Sequence, residues 1–224
     1  MGFMRAAGGR IIRPEILDEL PLERKRRSLA DLTRLNRQSG ARPLRRLFAG
    51  AADREEAFTL LDVGAASGDM GRYVRELYPA ARVTSLDYKV DHLLLAPPPR
   101  VAADAFSLPF EPRSHDFVFS SLFLHHFPDE AVVRLLAEMA RVAIRGVLAL
   151  DLYRHPVPYY FVPLTKWLYG WDPITVHDAP ISVEAAFRPA ELRDLARRAG
   201  LLHPEARSYG WSFRVSLFGR VPPG

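Results

Sequence analysis

Apolar positions fall into two periods along the chain. Phe58-Thr59-Leu60-Leu61-Asp62-Val63 is a short apolar run ending at Gly64, which predicts a buried strand. Arg82–Asp87, Asp116–Ser121 and Gly146–Leu152 read the same way. Helical patterns separate them: one over 69–78, one running to Pro97-Pro98-Pro99, and one opened by Pro128-Asp129-Glu130, whose apolar face is Val132, Val133, Leu135, Leu136 and Met139. Pro189-Ala190-Glu191 opens another helix, which closes at Arg197-Arg198 and Gly200. Residues 14–50 read as helix in pieces. Leu29, Leu32 and Leu35 mark an amphipathic stretch, punctuated by Gly40 and Pro43. The tail, Tyr209 to Val221, reads as a β-hairpin. Strands alternating with helices imply βαβ units and a mostly parallel sheet.

Composition narrows the class. The 224 residues are 48% hydrophobic and 25% charged, as in an ordinary globular protein. Cysteine is absent, which excludes disulfides, thiolate metal sites and a Cys nucleophile. No apolar run reaches the length of a transmembrane helix. Met1–Arg5 opens no signal peptide, and Ala6 breaks the myristoylation pattern. A cytoplasmic protein is expected. The net charge is +5, but residues 1–50 hold 12 Lys/Arg against 5 Asp/Glu, and the remainder 19 against 21. The basicity therefore belongs to the N-terminal segment. Its densest run, Arg24-Lys25-Arg26-Arg27, is a solvated helix face or a dock for an acidic partner or anionic membrane.

The candidate chemistry begins at Leu60-Leu61-Asp62-Val63-Gly64-Ala65-Ala66-Ser67-Gly68-Asp69. Small residues between a strand and a helix let backbone pass close to a ligand, and the helix N-terminus offers free N–H groups. A GxGxxG fingerprint fails at Asp69, and a P-loop fails because no Lys follows. Three further elements accompany the loop: Asp87 ending the next strand, Ala103-Asp104-Ala105-Phe106-Ser107-Leu108-Pro109-Phe110, and DFVFSSLFLHHFPD at 116–129. With these four elements in order, the chain resembles the class I S-adenosylmethionine-dependent methyltransferases, of the ubiquinone/menaquinone and natural-product type. The resemblance covers about 57–152 well and the C-terminal hairpin loosely.

The resemblance implies an α/β fold: a Rossmann-like, doubly wound, mostly parallel seven-stranded sheet with a C-terminal antiparallel hairpin. It implies S-adenosyl-L-methionine as cofactor. Gly64, Ala65, Ala66 and Gly68 would contact its methionine and ribose parts, Asp62 its amino group, and Asp87 both ribose hydroxyls. Tyr88 would lie against the adenine, Asp104 and the Ala105 N–H would bind its edge, and Ser121 would border the methyl end. Ala66 departs from the Gly of many relatives.

A phenol or enol acceptor must also lose a proton, and His125 and His126 are the candidate bases, with His155 and His177 as further choices. Two adjacent His are not expected to face one point, so no metal is assigned. Residues 153–171 hold 7 of the 24 aromatics, interrupted by Pro156, Pro158 and Pro163, so one smooth helix is not expected. Tyr153, His155, Tyr159, Tyr160 and Trp167 are the expected walls of an apolar acceptor pocket, in a lid over about 153–187. Residues 1–50 form a helical extension capping the substrate, and 51–224 the methyltransferase domain. The expected acceptor is a small phenol, quinone precursor or polyketide-like compound of secondary metabolism, methylated on oxygen first and carbon next. A nucleic-acid methyltransferase is the rival, disfavoured by Ser120-Ser121-Leu122-Phe123 where (D/N)PP(Y/F) would stand. A non-catalytic partner-binding module is the other. Peripheral membrane contact stays open, as does a monomer or homodimer.

Overall fold

The computed structural model describes residues 9–223. Met1–Arg5 and Ala6, read above for targeting, lie outside them. The elements are α1 (Ile16–Glu19), α2 (Leu22–Ala49), β1 (Thr59–Val63), α3 (Asp69–Leu77), β2 (Arg82–Asp87), α4 (Val90–Leu93), β3 (Arg100–Ala102) and β4 (His115–Ser121). After a 3-10 turn at Leu124–His126 come α5 (Asp129–Val142), β5 (Ala143–Leu152), α6 (Pro156–Tyr169), α7 (Pro173–Ala185), α8 (Pro189–Arg198), β6 (Leu202–Tyr209) and β7 (Arg214–Arg220).

The strands form one seven-stranded sheet, ordered β3-β2-β1-β4-β5-β7-β6. Neighbours from β3 through β5 pair parallel, while β7 runs antiparallel to both β5 and β6. Strands covered on both faces read as continuous apolar runs, and β1 is buried from Leu60 through Val63. One face packs Leu61, Val118, Val147 and Leu217 against Val132, Leu135 and Met139 of α5 and Leu192 and Leu195 of α8. The other packs Leu60, Val83, Phe119 and Leu148 against Val74 of α3 and Leu44, Leu47 and Phe48 of α2. Phe48 anchors this second layer, its ring centroid 5.5 Å from Phe119, 5.8 Å from Tyr78 and 6.4 Å from Phe58.

Three expectations from the sequence need correction, and one strand was not read at all. The helix of 14–50 is not broken at Gly40 and Pro43: α2 runs 28 residues through both. Burial outweighs the breakers, because Gly40 is buried where a Cβ would lie 3.6 Å from the Met70 sulfur, and Leu44 and Phe48 insert beneath the sheet just beyond. The aromatic segment contains one 14-residue helix, α6, because Pro156 and Pro158 fall in its first turn, where no N–H is needed, and only Pro163 is interior. The hairpin begins at Leu202, not Tyr209, its first strand disguised by exposed polar residues. The three-residue edge strand β3 carried no periodicity to read.

Replacing Phe48 by Ala removes the aromatic that joins α2 to the sheet. A loss of about 3–5 kcal/mol is expected, measured by urea denaturation of the two proteins.

Candidate active site

The strand ends converge on a cavity of about 310 Å³. Its floor is the loop after β1, with Asp62, Gly64, Ala65, Ala66 and Ser67, together with Ser121 and Leu122 after β4 and His125 and His126 on the 3-10 turn. Its roof is Leu29, Leu32, Leu35 and Asn36 of α2, Pro158, Phe161 and Val162 of α6, and Ala179, Ser182 and Val183 of α7. Glu15, Phe213 and Arg214 complete the wall.

The loop is held by β2. The N–H groups of Gly64 and Ala65 donate to Leu86 O at 2.9 and 3.0 Å, and that of Ala66 to the Asp87 carboxylate at 2.8 Å. The other Asp87 oxygen accepts from Lys89 N at 2.8 Å. Gly64 has φ +71°, and a Cβ there would lie 2.5 Å from the Phe123 ring, so only glycine fits. Ala66 adopts φ 45°, a left-handed conformation that costs a non-glycine residue about 1–2 kcal/mol. Backbone strain of this kind collects at functional sites.

Asp62 is buried at the end of β1, and its Oδ2 has no hydrogen-bond partner among the described residues. Burial pushes its pKa up to about 7, with Asp87 adding to the rise and Arg75 and the Gly71 N–H opposing it. An orphaned buried carboxylate on a cavity wall fits a cationic group. S-adenosylmethionine carries an ammonium, so the residues present suit the cofactor that the resemblance implies.

His125 is buried, and its Nδ1 lies 2.6 Å from Asp151 Oδ1. Asp151, also buried, accepts Leu124 N–H at 3.0 Å and Leu152 N–H at 2.7 Å. Burial pulls the imidazole pKa down. The charge and hydrogen bond of Asp151 more than reverse this, so the net shift is upward. Burial likewise raises Asp151, but His125 wins and its pKa falls. The adjacent rings of His125 and His126 lie 4.2 Å apart, and with Glu15 they bring ligand atoms within 4.8 Å of one another. The expectation that neighbouring His cannot converge therefore fails, because the 3-10 turn is tighter than the α-helix on which it was based.

Other predicted residues lie elsewhere. Tyr88 is 79% exposed beyond β2, Asp104 accepts from Phe106 N at 2.9 Å, and Ala105 joins the core, all outside the cavity walls. Tyr153, His155, Tyr159, Tyr160 and Trp167 do not line the cavity. Tyr153 stacks on His155, Tyr159 meets Tyr160 edge-on, and Trp167 is 88% exposed. His155 caps α6 by accepting from Val157 N, and His177 pairs with Asp178 at 2.7 Å. The residues sequence reasoning missed are Asp151, Glu15, Phe161, Val162, Phe213 and Arg214. Asp151 alone carried a signal, an acid ending a buried strand as at Asp62 and Asp87.

Residues 61–150 match the family described as methyltransferase domain. Over those residues, two fifths of the chain, it is similar to that methyltransferase family. The match falls on the segment that carried the sequence resemblance, which it bears out. No curated protein sequence matches the chain. Many solved structures share its fold, among them the following three. A protein of Nostoc punctiforme, provisionally named an O-methyltransferase, is 17% identical with a TM-score of 0.61, over 85% of this chain and 59% of its own. A SAM-dependent methyltransferase of Aquifex aeolicus is 16% identical with a TM-score of 0.57, over 76% and 85%. The mitomycin 7-O-methyltransferase MmcR is 20% identical with a TM-score of 0.58, over 84% and 54%. The chain thus spans little more than half the length of two of the three. The seven-stranded Rossmann-like sheet is as expected. Among the described residues no helix is long and apolar enough to cross a membrane.

A carboxyl group that is neutral when folded and ionised when unfolded weakens the fold as pH rises. Asp62, ordinarily 3.8 and raised to about 7, lowers stability progressively between those values. Asp62→Asn is therefore expected to gain on wild type by roughly 2–4 kcal/mol between pH 4 and pH 8, measured by denaturation at both.

Proposed function

We propose that this chain is an S-adenosylmethionine-dependent enzyme that methylates oxygen on a small, mostly apolar acceptor. The observation that carries the reading is His125, held from behind by buried Asp151, on the wall of the cavity that Gly64–Ser67 and Asp62, with its unpartnered Oδ2, also line. The O-methyltransferase fold neighbours, among them an enzyme named for mitomycin, support it.

Bound S-adenosylmethionine supplies an electrophilic methyl on its sulfonium sulfur. The protein's own work is to place the acceptor, exclude water and take a proton. Asp62 receives the amino group of the methionine part, and Gly64, Ala65, Ala66 and Gly68 offer backbone. Asp87 accepts from the ribose hydroxyls, exchanging its Ala66 contact. Tyr88, Asp104 and Ala105 hold the adenine on the open side of β2 and β3. Ser121 borders the methyl end. His125, with Nδ1 held by Asp151, keeps Nε2 for the acceptor hydroxyl; as that proton arrives, the Asp151 carboxylate stabilises the imidazolium. His126 sits beside it and orients the acceptor. Leu29, Leu32, Phe161 and Val183 give the acceptor apolar walls and shed water. Residues up to 50 serve as the substrate cap, with α6 and α7 as the lid.

Methyl transfer is to be read with labelled cofactor against a panel of hydroxylated aromatics. His125→Gln is expected to lower kcat about 10²–10⁴-fold while leaving S-adenosylhomocysteine affinity intact. Because Asp151 raises the His125 pKa, wild-type activity should rise with pH through a value above 6.5, and Asp151→Asn should move that limb to lower pH. A panel turned over equally well by His125→Gln would overturn the assignment of the base.

Asp62 makes a second, independent prediction. Only its carboxylate form attracts an ammonium, so S-adenosylhomocysteine affinity should fall up to about tenfold per pH unit below 7. Calorimetry should show this slope in wild type and a flat, weaker profile in Asp62→Asn.

A further inference from the structure

Arg214 is the first residue of β7 and is only 4% exposed. It lines the cavity beside Asn36, Leu35, Phe161 and Phe213. Its Nη2 donates to Asn36 Oδ1 at 2.9 Å and its Nη1 to the Phe213 carbonyl at 3.4 Å. Among the described residues it makes no salt bridge, unlike the other largely buried arginines Arg10 and Arg154, which reach Asp129 and Glu191. A guanidinium keeps its proton in a protein, and a buried one with neutral partners alone lacks the compensation buried charges normally have. Burial lowers its pKa to about 10, opposed by the field of Asp151.

The acids around the cavity have other partners. Asp151 holds His125 and two backbone N–H groups, Asp69 holds Arg72 at 2.7 Å, and Glu15 accepts from Ser182. Asp62 lies on β1, three strands from β7 and so roughly 14 Å away across the sheet. Arg214 therefore stands on the His125–Asp151 side of the cavity, where the acceptor goes, and its unused donors form a fork suited to a carboxylate.

We propose that the acceptor is a hydroxylated aromatic acid whose carboxylate pairs with Arg214 while its hydroxyl meets His125. This rests on the reading of the cavity as a methyl-acceptor site. It makes Arg214 a specificity-determining residue and Asn36, which holds one nitrogen of its fork, a positioning residue.

The test is calorimetry of hydroxyaryl carboxylic acids and their methyl esters binding to S-adenosylhomocysteine-loaded protein, which needs no turnover. In wild type the preferred acid should bind about tenfold or more tighter than its ester. Arg214→Met should abolish that preference and leave S-adenosylhomocysteine affinity within about twofold. Arg214→Lys, which keeps the charge but not the fork, should retain part of it, and the wild-type comparison stands even if Arg214→Met fails to fold. Equal binding of acid and ester, or no binding by any acid, would overturn the proposal. So would a loss of S-adenosylhomocysteine affinity in Arg214→Met with the preference intact, which would give Arg214 to the cofactor's own carboxylate. Acids that bind selectively but accept no methyl would uphold this assignment and count against methyl transfer to oxygen. Neutral phenols methylated without preference for the acid would do the reverse.

Discussion

The Asp151 carboxylate accepts hydrogen bonds from three places at once: the His125 ring, the Leu124 N–H and the Leu152 N–H. It thereby joins the end of β5 to the turn after β4. That turn has only three residues and depends on the bond to Leu124 for its position. Remove the acid, and a buried imidazole loses its counter-charge while the Leu124 and Leu152 N–H groups lose this acceptor. The sheet sets where Asp151 can be, because β4 and β5 pair in register up to Ser121 and Leu150. The geometry of the proposed base is thus inherited from the pairing of two parallel strands.

Asp62 shows what the same burial does with fewer partners. Both acids end central strands and both are buried, yet their pKa values move in opposite directions. The difference lies in donors. Asp151 faces a basic ring and two N–H groups, whereas one oxygen of Asp62 has none. A buried carboxylate is kept ionised by what surrounds it, and where nothing does, it stays ready for a cation from outside. In the proposed function, Asp62 serves the end of the cavity that takes the cationic group, and Asp151, through His125, the end where the proton moves.

The central sheet was legible because its strands are buried on both faces and leave unbroken apolar runs, as at Leu60–Val63 and Val147–Leu150. Glycine and acid at those strand ends were legible for the same reason. What stayed hidden depended on contacts distant in sequence. Gly40 and Pro43 read as breaks because nothing local reveals that Met70 and the sheet would hold α2 together. The aromatics of 153–171 suggested a wall, but a helix turns only one stripe inward. Phe161 and Val162 face the cavity, while Leu164, Trp167 and Leu168 face out. Arg214 was one arginine among 28, and only the fold buries it.

The basic N-terminal segment illustrates how poorly net charge reports a surface. Arg10 lies 4.0 Å over the Phe187 ring, pairs with Asp129, and donates to Phe127 O at 2.9 Å and Ala185 O at 2.8 Å. Arg13 pairs with Glu184, Arg34 lies 4.4 Å over Trp171, and Arg42 lies 5.3 Å over Trp211. The Ile16 and Leu17 N–H groups meet the Asp178 carboxylate at 3.1 and 2.9 Å. Four arginines thus fasten the segment to the rest of the chain, while Arg24, Arg26 and Arg27 stay exposed on α2. Counterion-release binding to nucleic acid needs cations that face solvent, and here several are turned onto aromatic rings and carboxylates of the same chain. With the segment so tied, Glu15 and the Leu29–Leu35 stripe become walls of the site. The segment that carries the excess charge also walls an apolar chamber over the glycine loop.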